Sequence, residues 1–202
     1  MKLDFTIDMT CPWCYIGLKR LQQAMGEHPE HNFNLCFFGY QLMPELGDEG
    51  ITYQDNLKRL IPDEEKRQAA HKKIVSIGEE LGICFRFDRK LIVCNTLKAH
   101  QLLKACPQEK QMELLEKIFA GIFTHAMNLG HTEQLAAIAT EIGLPLTINL
   151  EKETSKQAVL ADFHRSSTTP IITIPYLVIE ERFPVQAAHL PQVISACIRN
   201  ML

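Results

Sequence analysis

Thr10-Cys11-Pro12-Trp13-Cys14-Tyr15-Ile16-Gly17 is the stretch on which the reading of this chain turns. Two cysteines three positions apart fit a redox pair, half of a metal site, or two thiols of no consequence. The flanking sequence narrows the choice. Upstream, Lys2 to Asp8 alternates apolar and polar residues, with Leu3, Phe5 and Ile7 on one face, which predicts a strand. Downstream, Tyr15, Ile16, Leu18, Leu21, Ala24 and Met25 recur at helical spacing until Gly26 and Pro29 stop them. Asn32 to Leu42 reads as a second strand. The cysteines therefore sit where the first strand of a βαβ unit hands over to its helix.

That position favours thiol chemistry. A helix N-terminus carries unpaired N–H groups and a partial positive charge, both of which stabilise a thiolate. Pro12 suits the first turn, where its missing N–H costs no hydrogen bond. On this reading Cys11 is the attacking thiol, and Cys14, one turn on and more buried, is the resolving one. Trp13 shapes the surface between them. A zinc finger built from Cys11, Cys14, His28 and His31 is disfavoured by geometry. The predicted helix holds the thiols and the histidines roughly 16 Å or more apart at about 1.5 Å per residue, whereas zinc needs ligands at about 2.0–2.3 Å. His28-Pro29-Glu30-His31 then reads as a solvated helix end, and no metal is expected.

Composition sets outer limits. The 202 residues are 46% hydrophobic and 22% charged, as in ordinary globular proteins. A net charge of −3 argues against a nucleic-acid surface. No apolar run reaches the roughly 20 residues of a membrane span. Asp4 and Asp8 interrupt any apolar core of a signal peptide. Seven cysteines, five of them scattered, point to a reducing, cytoplasmic location. Cys36, Cys84, Cys94, Cys106 and Cys197 are expected as buried, inert residues.

The middle of the chain is helical in pattern. Helices are expected over Glu64 to Gly82, over Thr96 to Ala105 behind an Asn95 cap, and over Glu133 to Ile142 behind a Thr132 cap. Leu114 to Ala126 carries an apolar stripe at the same spacing. After a turn at Leu144 to Thr147, a helix is expected from Asn149 to about His164, then a loop at Ser166 to Thr169. Strands at Ile171 to Ile179 and Arg182 to Gln186, and a helix from Leu190 to Met201, complete the pattern. Pro175 and Pro184 belong at strand starts, edges or breaks. The fold class is α/β: a domain of residues 1–55 and 147–202 interrupted by an all-helical insertion at 56–146.

Asp8-Met9-Thr10-Cys11-Pro12-Trp13-Cys14-Tyr15-Ile16-Gly17, Gln41-Leu42-Met43-Pro44, Asn95-Thr96-Leu97-Lys98-Ala99-His100 and Ile174-Pro175-Tyr176-Leu177-Val178 occur in an order that resembles the DsbA-like thioredoxin-fold family, in its FrnE-type cytoplasmic branch. The resemblance implies a thioredoxin-like domain, a cis Pro175 facing the cysteines, and an Ile174 backbone open to a substrate strand. It implies thiol–disulfide exchange through Cys11 and Cys14, supported by Pro12, Trp13, Ile174 and Pro175. Substrates would be protein or small-molecule disulfides and thiols, with a thiol reductant as partner and neither nucleic acid nor membrane. No tightly bound cofactor is implied; glutathione is a candidate co-substrate, and a homodimer is compatible. The alternative within the superfamily is a glutathione-dependent isomerase or kappa-class-like transferase, whose members usually replace the first cysteine with serine. The sequence departs from the family at Thr173, where relatives carry Gly, and at Gln186-Ala187-Ala188-His189. His100 is expected to pack or cap, and His189 to begin a helix.

Overall fold

The computed structural model describes residues 1–144, 153–169, 171–186 and 188–201. Its elements are β1 (Lys2–Ile7), α1 (Pro12–Gly26), β2 (Asn34–Gly39), β3 (Ile51–Thr52), α2 (Tyr53–Leu60), α3 (Glu64–Glu80), β4 (Ile92–Val93), α4 (Leu97–Ala105), α5 (Gln108–Phe123), α6 (Thr132–Glu141), α7 (Glu153–Thr168), β5 (Tyr176–Ile179), β6 (Phe183–Gln186) and α8 (Pro191–Arg199). The sheet runs β2-β1-β5-β6. β1 is parallel to β2 and antiparallel to β5, which is antiparallel to β6. The expected mixed α/β architecture is present.

The strand alternation at the N-terminus sorts β1 into two faces. Leu3, Phe5 and Ile7 are fully buried, and the Phe5 and Phe37 rings meet edge to face at 6.2 Å. Burying each such side chain is worth about 1.5–3 kcal/mol. Asp4 on the opposite face meets α7, where Arg165 donates to its carboxylate at 2.8 Å. The same helix engages β2. The Gly39 amide donates to Asp162 Oδ2 at 2.9 Å, and the Ser166 hydroxyl donates to the Gly39 carbonyl at 2.9 Å.

These bonds explain a correction. The sequence suggests a loop at Ser166 to Thr169, yet α7 continues through Thr168. Arg165 and Ser166 are anchored to the sheet, and that tertiary attachment overrides their local preference. The turn expected at Leu144 to Thr147 and the helix start at Asn149 lie largely outside the described residues. Pro184 sits on the edge strand β6, where its missing N–H breaks no inner ladder. Residues 171–175 precede β5 rather than belonging to it.

Between β2 and α7 the described chain is mainly helical. Thr52 caps α2 by accepting the Asp55 amide at 3.1 Å, and Asp63 caps α3 by accepting Lys66 at 2.9 Å. α3 ends as read from Gly82, whose φ is +72° while Ile83 N–H returns to the Gly78 carbonyl at 2.7 Å. Two caps move by one residue. Thr96 takes the cap position of α4, although the Asn95 side chain still accepts the Leu97 amide at 3.0 Å. His131 stands at the cap of α6 in place of Thr132. Residues 56–146, expected as all-helical, also carry the two-residue strand β4, which pairs antiparallel with β3 outside that range, a feature too short to leave a periodic signal.

Two expectations about single residues are overturned. Cys84 is exposed, and Cys36 and Cys197 are half-buried; only Cys94 and Cys106 of the scattered five are buried. Cys84 alternates with buried Ile83 and Phe85 in an extended segment, so its side chain faces outward. His28 is buried rather than solvated, because it packs against α8 and lies 2.9 Å from the Ser195 hydroxyl.

Candidate active site

The backbone from β1 into α1 positions the two thiols. Cys11 N–H donates to the Asp8 carbonyl at 3.2 Å. Cys11 then occupies the helix cap position with φ −92° and ψ 112°, and Pro12 is the first helical residue. The Cys11 carbonyl accepts the amides of Cys14 at 3.0 Å and Tyr15 at 3.4 Å. No side chain caps this helix, and its first turn holds no acidic residue. Nothing in that turn competes with a sulfur anion for the positive end of the helix.

The thiols differ in access as the sequence suggests. Cys11 is 7% exposed and Cys14 is 0% exposed. Burial, reinforced by a hydrogen bond and the charge of the Cys11 sulfur and by the nearby Asp8 carboxylate, pushes the Cys14 thiol well up from its ordinary value. Both cysteines are free thiols. Pro12 and Trp13 are half-buried beside them.

Asp8 is the residue whose importance the motif alone does not reveal. It is 1% exposed. Its Oδ1 accepts the Thr10 amide at 2.9 Å and the Thr10 hydroxyl at 3.1 Å, and its Oδ2 accepts the Leu42 amide at 2.7 Å. Burial raises its pKa, opposed by these donors. An acidic residue at the last position of an alternating strand, three before the first cysteine, is the signal that could have flagged it.

The helical segment packs over the first turn of α1. Tyr15 stacks on Phe119 at 5.1 Å and meets Phe85 edge-on at 6.0 Å. Tyr53, at the start of α2, faces the thiols; burial, with a smaller contribution from the Cys11 charge, pushes its hydroxyl up to about 12. Lys73 of α3 stands 5.8 Å from the centre of the Trp13 ring. Cys94 follows β4 and is buried. Desolvation, with a minor effect of the Asp8 charge, raises its thiol to about 11. Sequence reasoning did not single out Tyr53 or Lys73 and named Cys94 only as a buried thiol, since only the tertiary fold brings them here.

Pro175 arrives from the far end of the chain. Thr6 is paired with Tyr176, so the register carries Pro175 to the level of Ile7, at the end of the sheet from which Cys11 emerges. The Ile174–Pro175 peptide is cis, as the resemblance implies. Pro175 is buried, Ile174 is half-buried and Thr173 is exposed.

His100 and His189 are each tied to a backbone carbonyl. His100 is buried in α4, its Nε2–H donating to the Tyr40 carbonyl at 3.1 Å and its ring edge-on to Phe163 at 5.4 Å. Burial pushes its pKa down to about 3, so the ring is neutral and structural. His189 is exposed before α8, its amide bonded to the Gln186 carbonyl at 3.1 Å. His28 and His31 lie beyond the C-terminal end of the fifteen-residue α1, about 20 Å from the thiols at 1.5 Å per residue. Among the described residues no helix is long and apolar enough to cross a membrane.

Solved structures share this architecture. A probable DsbA oxidoreductase from Streptomyces coelicolor superposes with a TM-score of 0.89 at 20% identity, covering 99% of this chain and 89% of that one. The cytosolic disulfide reductase DsbM from Pseudomonas aeruginosa, solved with GSH, gives 0.72 at 16% identity over 100% and 98%. A 2-hydroxychromene-2-carboxylate isomerase gives 0.70 at 12% identity over 100% and 96%. At these identities the likeness establishes the fold. No curated protein matches the sequence. The family described as the DSBA-like thioredoxin domain matches residues 2–188, nearly the whole length that carries the sheet, the thiols and Pro175, and the chain belongs to that family.

Proposed function

We propose that this chain is a cytoplasmic thiol–disulfide oxidoreductase of the FrnE-type branch, acting on protein or small-molecule disulfides and thiols. The observation that carries the reading is the pairing of Cys11, at an uncapped helix N-terminus, with a wholly buried Cys14 thiol hydrogen-bonded to it. Cys11 thiolate attacks one sulfur of a substrate disulfide. A mixed disulfide forms, and the second substrate sulfur leaves as a thiolate. Cys14 then loses its proton and attacks the Cys11 sulfur, releasing the remaining substrate thiolate and closing the Cys11–Cys14 disulfide. The substrate gains two electrons and the enzyme loses two. A thiol reductant, with glutathione as a candidate, returns the pair to the dithiol.

The remaining residues take supporting roles in this reading. The Ile174 backbone beside Pro175 offers a short β-bridge to an extended substrate. Trp13 and Pro12 shape the surface around the sulfurs. Residues 56–146 act as the helical insertion that covers the first turn of α1, interrupting a domain of residues 1–55 and 147–202. The cytosolic description of the DsbM neighbour and the five cysteines outside the pair support a reducing compartment.

The isomerase neighbour marks the rival reading, a glutathione-dependent reaction without net redox change. Cys14→Ser separates the two. Exchange predicts at least a 100-fold loss of disulfide turnover and accumulation of a mixed disulfide on Cys11, seen by non-reducing mass spectrometry. Full turnover in that variant of an electrophilic small molecule with glutathione would overturn exchange in favour of the rival.

A further inference from the structure

The turn between α1 and β2 holds a side-chain cluster that thiol exchange does not use. Gly26 ends α1, and the chain turns through His28-Pro29-Glu30-His31. The His31 amide donates to the His28 carbonyl at 3.1 Å, which brings the two rings to 6.1 Å between centres. Glu30 reaches between them. Its Oε1 lies 3.1 Å from His31 Nε2 and 3.7 Å from His28 Nδ1. One ligand atom from each residue falls within a set no wider than 4.8 Å.

The buried member of the set is oriented from behind. His28 is 5% exposed, and its Nε2 is 2.9 Å from the hydroxyl of Ser195, a fully buried residue of α8. In the tautomer whose Nε2–H donates to that hydroxyl, which a metal ion on Nδ1 would select, the Nδ1 lone pair is free to face Glu30 and His31. This is the arrangement by which an outer hydrogen-bond partner fixes the tautomer and direction of a ligating imidazole. Adjacent ligands on a divalent transition ion, each at about 2.0–2.2 Å, stand about 3–3.5 Å apart. The two shorter spacings are already at or near that range. Closing the third needs only rotation of Glu30 and His31, whose side chains retain 60% and 27% exposure.

We propose that His28, Glu30 and His31 form a zinc site. Two imidazoles and one carboxylate match the donor preference of Zn²⁺, whereas Mg²⁺ and Ca²⁺ favour oxygen ligands throughout. Water completes the coordination on the exposed side. The site lies at the end of α1 remote from Cys11 and Cys14, so the ion takes no part in exchange. It fastens the α1–β2 turn and, through the His28–Ser195 bond, the docking of α8 on α1.

The experiment uses the full chain carrying Cys11→Ser and Cys14→Ser, so that the redox thiols cannot hold the ion. Zn²⁺ is titrated against a chromophoric chelator, and Co²⁺ is added separately as a spectroscopic substitute. The expected result is one ion per chain, affinity at least tenfold lower in both His31→Ala and Glu30→Gln, and a cobalt spectrum without a thiolate charge-transfer band. Zn²⁺ should also raise the thermal midpoint of the parent and leave that of His31→Ala unmoved. His31 and Glu30 lie at the surface, and circular dichroism checks that their variants fold. The proposal is overturned if no ion binds, if binding survives His31→Ala and Glu30→Gln, or if the thiolate band shows that the remaining cysteines hold the metal.

Discussion

Leu42 donates its amide to Asp8 Oδ2 at 2.7 Å, tying the segment after β2 to the end of β1 beneath the redox helix. The bond holds a carboxylate close enough to Cys14 for its charge to disfavour the Cys14 thiolate. Asp8→Asn removes that charge with little change in volume, so the Cys14 thiol should titrate at a lower pH. Residue-resolved alkylation across pH, read by mass spectrometry, measures this; an unmoved or raised Cys14 midpoint refutes it. Both Asp8 oxygens accept N–H donors, so the new amide NH₂ must face one of them. A donor left unpaired in this way costs about 1–3 kcal/mol, which a shift of the denaturation midpoint should register.

The legibility of this molecule follows the range of its interactions. β1, α1 and β2 are readable because Leu3, Phe5 and Ile7 alternate and because Tyr15 to Met25 repeats at helical spacing. Both are local signals. The two thiols are readable for the same reason, since their chemistry depends on the strand-to-helix handover beside them. The position of Pro175 is not, because the Thr6–Tyr176 register joins residues far apart in the chain and no local pattern encodes it. That placement came from family resemblance. The burial of Asp8, His28 and His100 is hidden likewise: each polar group is satisfied by a partner from another element. β3 and β4 escape because two residues cannot establish a period.

His100 makes stability depend on acid. Its folded pKa, pushed down to about 3 by burial and further by the charge of Lys104 against the opposing Tyr40 carbonyl, lies below the unfolded value of 6.5. The unfolded chain therefore binds a proton first as pH falls. The contribution is fully present above pH 6.5 and is lost progressively toward pH 3, at about 1.4 kcal/mol per pH unit. Between pH 7 and pH 5 this residue should remove about 2 kcal/mol. His100→Gln retains an N–H donor for the Tyr40 carbonyl but cannot titrate. Urea unfolding at both pH values should show a shallower loss in the variant than in the parent, and an equal loss would refute the assignment.

Gly130 and Gly26 should respond oppositely to alanine. A Cβ at Gly130 would lie 2.0 Å from the Asp48 carbonyl oxygen and 2.6 Å from its carbon, both backbone atoms that cannot rotate away. The two segments are locked together on every side. Asn128 donates its amide to the Asp48 carbonyl at 3.1 Å and accepts the Gly130 amide at 2.9 Å, while Lys98 bonds both Asp48 Oδ2 at 2.6 Å and the Gly130 carbonyl at 3.0 Å. Gly130→Ala must push these segments apart, at a cost of about 1–3 kcal/mol or more. Gly26 closes α1 with nothing within 4 Å of its would-be Cβ and without a positive φ. Alanine there lowers the entropy of the unfolded chain and favours the helix, a gain of about 0.4–1 kcal/mol. Chemical denaturation of the two variants should move their midpoints in opposite directions; a Gly130→Ala protein as stable as the parent would refute the close Asp48–Gly130 approach.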